Sequence, residues 1–165
     1  MRYAQIRRTD ISNGIGIRTA LFVQGCTRHC KGCFNQETWD FDGGMEWTVD
    51  VEDEFIDLTA KEHIHGATIL GGEPFDVPNR KTVKHILQRL RMEVPGKNTW
   101  MYSSYLFEDI LKEDPEILKY IDVLVDGAFI EEEKDMKLRF RGSRNQRVID
   151  VPKSLEEEKV VLKLS

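Results

Sequence analysis

Short apolar runs alternate with amphipathic segments along most of this chain. Several of the runs end at glycine, as buried strands that lead into tight turns do. They predict strands over residues 18–24, 67–70, 99–103 and 121–125, with a weaker candidate at 146–151. The segments between them place apolar residues on one side of a 3.6-residue repeat. They predict helices over residues 48–62, 79–93, 106–112 and 115–120.

This order of strands and helices predicts a mainly parallel sheet joined by right-handed βαβ crossovers. The chain has 165 residues, whereas a complete eight-unit βα barrel needs about 250. We therefore expect an α/β fold with a partial, open βα barrel, in a single domain over residues 1–165. A flavodoxin-like doubly wound sheet is the alternative. In either fold the functional site is expected where the carboxyl ends of the strands meet.

The composition is that of an ordinary globular protein, with 32% charged and 40% hydrophobic residues. The net charge of -5, with acidic and basic residues interspersed, argues against a protein that coats nucleic acid. No stretch is apolar enough to span a membrane, and the basic N-terminus lacks the apolar core of a signal peptide. We therefore expect a cytoplasmic protein whose cysteines stay reduced.

The three cysteines of the chain, Cys26, Cys30 and Cys33, fall in the loop after the first predicted strand. Three cysteines cannot form a closed set of disulfides. Three thiolates also leave one ligand position open, on a tetrahedral metal or on a cubane cluster. The Cys-x3-Cys-x2-Cys spacing favours a 4Fe-4S cluster bound through three irons.

A zinc site is the alternative interpretation of the cysteines. It would need a fourth ligand, and three histidines are candidates: His29, His63 and His65. Structural zinc sites usually take their ligands in pairs from two separate turns. All three thiols here come from one short loop, which makes the iron–sulfur interpretation the stronger one.

The cysteine spacing, with the aromatic Phe34 directly after the last cysteine, resembles the signature of the radical S-adenosylmethionine (SAM) superfamily. In that superfamily the three cysteines hold a 4Fe-4S cluster, and the amino and carboxylate groups of SAM chelate the fourth iron. The resemblance implies that Cys26, Cys30 and Cys33 are the cluster ligands. It also implies that Gly32 and Phe34 contact the nucleoside part of SAM, and that Cys33 is a cofactor-binding residue as well as a cluster ligand.

A second motif, Gly71-Gly72-Glu73-Pro74, follows the next predicted strand. Glycines permit close backbone approach and positive φ angles, and backbone groups with a carboxylate would suit an ammonium group. In isolation such a run is most simply a turn. Its place one βα unit after the cysteines makes it resemble the methionine-binding motif of the superfamily. The resemblance therefore implies that Gly71, Gly72 and Glu73 bind the methionine part of SAM.

Four further runs narrow the resemblance from the superfamily to one family. These runs are residues 13–18, 22–26, 122–127 and 140–147. Together with the short length, they resemble the family of proteins that activate anaerobic ribonucleoside-triphosphate reductase. The likeness extends from about Tyr3 to Val151. Ile15 departs from it, because relatives commonly carry proline there. Ser103-Ser104-Tyr105 stands where relatives often have Thr-Gly-Tyr, and Ser103 is the candidate ribose contact.

This resemblance implies an oxidoreductase that activates a larger protein. Reduced flavodoxin or a similar donor would supply an electron, and reductive cleavage of SAM would give a 5′-deoxyadenosyl radical. That radical would abstract hydrogen from a glycine of the large subunit of the anaerobic ribonucleotide reductase. No side chain beyond the cluster ligands is expected to be catalytic. The alternatives are an activator of another glycyl-radical enzyme, another small radical SAM enzyme, or a non-enzymatic iron–sulfur or zinc module.

A basic series, Arg139, Arg141, Arg144 and Arg147, lies near the C-terminus. The first two arginines alternate with apolar residues, as in an edge strand. The series is either a solvated basic edge or a surface that docks an acidic partner or binds a carboxylate. The resemblance favours docking.

Overall fold

A computed structural model describes the whole chain, residues 1–165. It has eight strands: β1 (Arg2–Asp10), β2 (Arg18–Val23), β3 (Met45–Glu46), β4 (Gly66–Gly71), β5 (Asn98–Ser103), β6 (Val123–Asp126), β7 (Arg147–Asp150) and β8 (Leu162–Leu164). It has five α-helices: α1 (Val49–Ala60), α2 (Val77–Glu93), α3 (Phe107–Glu113), α4 (Pro115–Leu118) and α5 (Val151–Glu157). Short 3-10 turns occupy Gln36–Thr38 and Glu131–Glu133.

The strands form one open sheet in the order β3-β1-β2-β4-β5-β6-β7-β8. The four central strands, β2, β4, β5 and β6, are parallel and follow chain order. The outer strands are antiparallel to their neighbours. The predicted α/β fold with a parallel sheet is thus confirmed for the middle of the sheet. The prediction missed the antiparallel margins, because β1 is rich in arginine and β3 and β8 are very short.

The five helices lie on one face of the sheet. The largest core cluster contains buried apolar residues from every helix, together with alternate strand residues such as Leu21, Ile69, Met101 and Leu124. The intervening residues, Phe22, Leu70, Tyr102 and Val125, face the other side and meet no helix there. A doubly wound sheet has helices on both faces, so that alternative is wrong.

Local signals explain where the helices begin. Thr48 caps α1 as predicted, because its hydroxyl accepts a hydrogen bond from the Val51 amide at 3.3 Å. Helix α5, which the sequence did not predict, begins where Asp150 accepts a hydrogen bond from the Lys153 amide at 3.0 Å. None of the helices has the length and apolar character needed to cross a membrane.

The helix-free face is closed at the amino ends of the strands by Arg18. This fully buried side chain donates to Thr68 at 2.8 Å and to Asn98 at 2.6 Å, and lies against the Trp100 ring. Burial lowers its pKa to about 10. The same face is open at the carboxyl ends of the strands, and the site lies there.

Candidate functional site

A cavity of about 550 Å³ opens on the helix-free face at the carboxyl ends of the parallel strands. The side chains of Phe22, Leu70, Tyr102 and Val125 form part of its wall. Loops after all four parallel strands complete it, and their lining residues include Cys26, Cys30, Cys33, Phe34, Gly71, Gly72, Glu73, Ser103, Ser104, Gly127 and Phe129. The position agrees with the expectation that the functional site gathers at these strand ends.

The cysteine loop leaves β2 through a sharp turn at Gly25, whose φ is +103°. Gly25 donates to the Thr38 carbonyl at 2.6 Å, and Cys26 donates to the Trp39 carbonyl at 3.1 Å. The three thiols are unpaired and half-buried. Burial raises the pKa of Cys26 and of Cys30. These shifts favour the protonated thiols. A metal that coordinates a thiol deprotonates it, so metal binding here would convert the thiols to thiolates.

The histidines do not complete a zinc site with these thiols. His63 and His65 precede β4, so they lie at the opposite end of the sheet from the cysteine loop, and His65 accepts a hydrogen bond from Ile17 at 2.9 Å. His29 lies in the loop but stacks on Trp39 with ring centroids 4.5 Å apart. No group of three or more cysteine, histidine or acidic side chains surrounds a point that would suit one metal ion.

A cubane cluster makes a different demand on its ligands. Each cysteine binds a separate iron, so the three sulfurs need not converge on one ion. Three free thiols in one loop, directed to one cavity, meet that demand. The donor set therefore fits a 4Fe-4S cluster better than a single zinc ion.

The glycine loop, residues 71–74, lies directly against the cysteine loop. Gly72 donates to the Val23 carbonyl at 2.8 Å, and Glu73 donates to the Gly25 carbonyl at 2.7 Å. A Cβ on Gly72 would lie 2.4 Å from the Gly25 carbonyl oxygen, so only glycine allows this approach. The carbonyl oxygen of Gly72 accepts no hydrogen bond within the protein and remains available to a ligand.

The Glu73 side chain is 1% exposed and is fully engaged with the protein. It accepts hydrogen bonds from the Phe75 amide at 2.8 Å, the Ser103 hydroxyl at 2.8 Å, and the Ser104 amide and hydroxyl at 2.6 and 2.7 Å. Burial raises its pKa, and these hydrogen bonds oppose the rise in part. Four donors occupy the lone pairs of one carboxylate. Glu73 therefore ties the glycine loop to the loop after β5.

The predicted nucleoside contacts are only partly gathered at the cavity. Phe34 lines its mouth with 53% of the residue exposed, and its ring lies 5.1 Å from that of Phe129. Ser103 lines the cavity, but its hydroxyl donates to Glu73 and accepts from the Tyr105 amide at 3.1 Å. Gly32 is not a lining residue, and a Cβ there would lie 3.1 Å from the Glu131 carboxylate.

The roof segment, residues 128–146, covers the cavity and was not predicted as part of the site. It contributes Phe129, Met136, Phe140 and Arg141 to the lining. The sequence signal was present, since residues 122–127 and 140–147 were among the runs that carried the family resemblance.

The basic series does not form an edge strand; three of its arginines lie in the roof segment, and Arg147 follows it. The chain from Leu138 to Phe140 forms bends, and Phe140 has a φ of +65°. Arg147 turns inward to ion pairs with Asp126 and Glu108. Arg139 and Arg144 are exposed. The series therefore divides into a structural part and a solvated part.

The site and fold define an iron–sulfur domain. The chain matches the family described as a 4Fe-4S single cluster domain over residues 12–149. It is also 40% identical over 148 residues to the anaerobic ribonucleoside-triphosphate reductase-activating proteins of Haemophilus influenzae and Vibrio cholerae, covering 88% of this chain and 96% of each relative. The protein of that name from Escherichia coli K12 is 37% identical with the same coverage.

The chain therefore belongs to the family of anaerobic ribonucleoside-triphosphate reductase-activating proteins. The resemblance that the sequence motifs suggested is confirmed, and the matched domain supports a 4Fe-4S cluster as the metal group.

Proposed function

We propose that the protein is a radical SAM enzyme that activates an anaerobic ribonucleoside-triphosphate reductase. Its single domain, residues 1–165, would be an open partial barrel of the radical SAM type. Parallel strands in chain order, with every helix on one face, support that architecture. The observation that carries the proposal is the direct contact between the cysteine loop and the glycine loop at one cavity.

Each part of the cavity has a proposed role. Cys26, Cys30 and Cys33 would hold the cluster. The backbone of Gly71 and Gly72 would receive the methionine end of SAM, and Glu73 would keep that backbone in place. Three residues are assigned to the nucleoside end: Gly32, Phe34 and Ser103. Phe34 has the most direct support, because its exposed ring stands at the cavity mouth.

When bound, a cluster reduced by an external electron donor would supply one electron to the sulfonium of SAM, which would release methionine and provide the 5′-deoxyadenosyl radical for hydrogen abstraction from a glycine of the partner. The protein's own task is to bind, orient and shield these groups. The proposal assigns no acid–base catalyst, and the role it gives to Glu73 is to hold the loops together through its four hydrogen bonds.

The proposed partner is the large subunit of the reductase, with reduced flavodoxin or a similar protein as electron donor, in the cytoplasm. The cavity volume of about 550 Å³ falls within the range of roughly 300–1,000 Å³ that is usual for pockets holding one small ligand. A polypeptide substrate must then approach from outside, past the cavity mouth at Phe34.

Anaerobic reconstitution with iron and sulfide tests this function. We expect a brown protein that, once reduced, converts SAM to 5′-deoxyadenosine and methionine. Addition of the reductase is expected to give a glycyl-radical signal by electron paramagnetic resonance, and the Cys30→Ala variant is the control. A colourless protein holding one zinc ion would refute the proposal. SAM cleavage without a glycyl radical in the reductase would point to a different glycyl-radical partner.

A further inference from the structure

Asp76 is a buried carboxylate whose contacts are all with the loops of the site. It stands immediately before α2 and is 2% exposed. Its side chain does not cap that helix. Instead it accepts hydrogen bonds from the Thr27 amide at 2.9 Å, the Thr27 hydroxyl at 3.1 Å and the Tyr105 hydroxyl at 2.7 Å. Thr27 lies between the first two cysteines, so Asp76 holds the cysteine loop within the span of its predicted ligands.

The first turn of α2 holds the other side of Cys26 as well. Asn79 is 1% exposed, and its amide group donates to the Gln24 carbonyl at 3.1 Å and to the Glu73 carbonyl at 3.0 Å. Gln24 and Thr27 bracket Cys26 along the chain. One helix turn therefore fixes the backbone before and after this cysteine.

The charge of Asp76 has no ionic partner in the protein. Its contacts are an amide and two hydroxyls, and it takes part in none of the salt bridges. A buried carboxylate without a cation is costly to keep, so a structural role alone would be served as well by a neutral acceptor. A negative charge of this kind opposes the addition of an electron to a neighbouring group, and Fe–S potentials respond to local charge.

We propose that Asp76 is a positioning residue for the cluster. Its carboxylate fixes Thr27 so that the loop presents Cys26 and Cys30 to the cavity, and its charge lowers the potential at which the cluster is reduced. This inference rests on the proposed function, because it requires the cysteines to hold a cluster.

The Asp76→Asn variant separates the charge from the hydrogen bonds. An asparagine oxygen still accepts from the Thr27 amide, and its amide group donates to the Tyr105 hydroxyl. We expect wild-type iron and sulfide content after reconstitution, and a higher midpoint potential in a redox titration followed by electron paramagnetic resonance. The Asp10→Asn variant is the matched control. Asp10 is 5% exposed, its carboxylate forms an ion pair with Arg7, and its backbone lies opposite Arg18, at the far end of β2 from the cysteine loop. The midpoint potential of Asp10→Asn should therefore equal that of the wild type.

The Asp76→Ala variant removes the acceptor altogether. We expect its reconstituted cluster to lose iron to a chelator faster than the wild type does, with the rate restored in Asp76→Asn. Circular dichroism of the cluster-free proteins checks that each variant is folded. If Asp76→Ala does not fold, the midpoint potential of Asp76→Asn alone tests the inference.

Two results would overturn the inference. One is a midpoint potential in Asp76→Asn equal to that of the wild type, and the other is a folded Asp76→Ala that retains iron as well as the wild type does. Failure of the wild-type chain itself to bind iron and sulfide would instead refute the proposed function, before any variant is compared.

Discussion

At the scale of the residue, two buried carboxylates connect the loops around the cavity. Glu73 joins the glycine loop to the loop after β5, and Asp76 joins the cysteine loop to Tyr105. Both are almost fully buried. The loops that carry the proposed ligands are thus held by side chains that contact one another's loops.

Replacing Cys30 with alanine is expected to abolish cluster binding, because two thiolates in one loop leave the cubane with too few protein ligands. Iron and sulfide per chain and visible absorbance after reconstitution measure the effect. His29→Ala is the control and should keep the cluster, since this ring stacks on Trp39. Loss of metal in His29→Ala with retention in Cys30→Ala would contradict the ligand assignment.

Replacing Glu73 with glutamine should lower the free energy of unfolding by about 1–3 kcal/mol, because the new amide group must face a backbone N–H donor that loses its acceptor. Urea denaturation of the cluster-free chain measures this change. Glu108→Gln is the matched control. It removes an exposed ion pair with Arg147, and such pairs contribute about 0–1 kcal/mol. Equal losses in the two variants would show that the donors around Glu73 do not stabilise the fold.

The sequence indicated a cysteine site but did not indicate these carboxylate contacts. Cys26, Cys30 and Cys33 can be recognised from their local spacing in the sequence. Glu73 instead meets Ser103 and Ser104 across 30 and 31 positions of the chain, so only the completed sheet reveals that its carboxylate is already engaged.

At the scale of the element, the glycine loop and the cysteine loop form one unit by backbone contact. Gly72→Ala should separate them, because its Cβ would lie 2.4 Å from the Gly25 carbonyl oxygen and 2.9 Å from that of Thr38. We expect a marked loss of iron retention and of thermal stability. Gly96→Ala is the matched control, because a Cβ there meets nothing within 4 Å. A Gly72→Ala protein with wild-type iron retention would show that the close approach is dispensable.

The elements that the sequence predicted well are those with strong local patterns. The strongly apolar β2 and the periodic α2 were both found within a few residues of their ends. β1 was missed because its arginines interrupt the apolar pattern of a strand. The segment is a strand because it pairs with β2. Around Arg139 the alternation of arginine and apolar residues does not lead to a strand. There Phe140 turns toward Trp100, with ring centroids 5.4 Å apart, and the backbone leaves the strand conformation.

At the scale of the molecule, the helices cover one face of the sheet and the roof segment covers the cavity on the other. We expect SAM binding to the reconstituted protein to slow hydrogen exchange in residues 128–146, because this segment lines the cavity. Helix α3, on the opposite face, provides the internal control and should exchange at an unchanged rate. Protection confined to the helical face, at saturating SAM, would place the ligand elsewhere.

The chain order of the parallel strands also bears on synthesis at the ribosome. Domains begin to form from the N-terminus as the chain emerges, and Ser103 follows Cys33 by 70 positions. A nascent chain that ends before β5 already carries all three thiols. It still lacks Ser103, Ser104 and Tyr105, which satisfy Glu73 and Asp76. The order of the strands therefore favours insertion of iron and sulfide only after the loop that follows β5 has folded, when the cysteine loop has its full support.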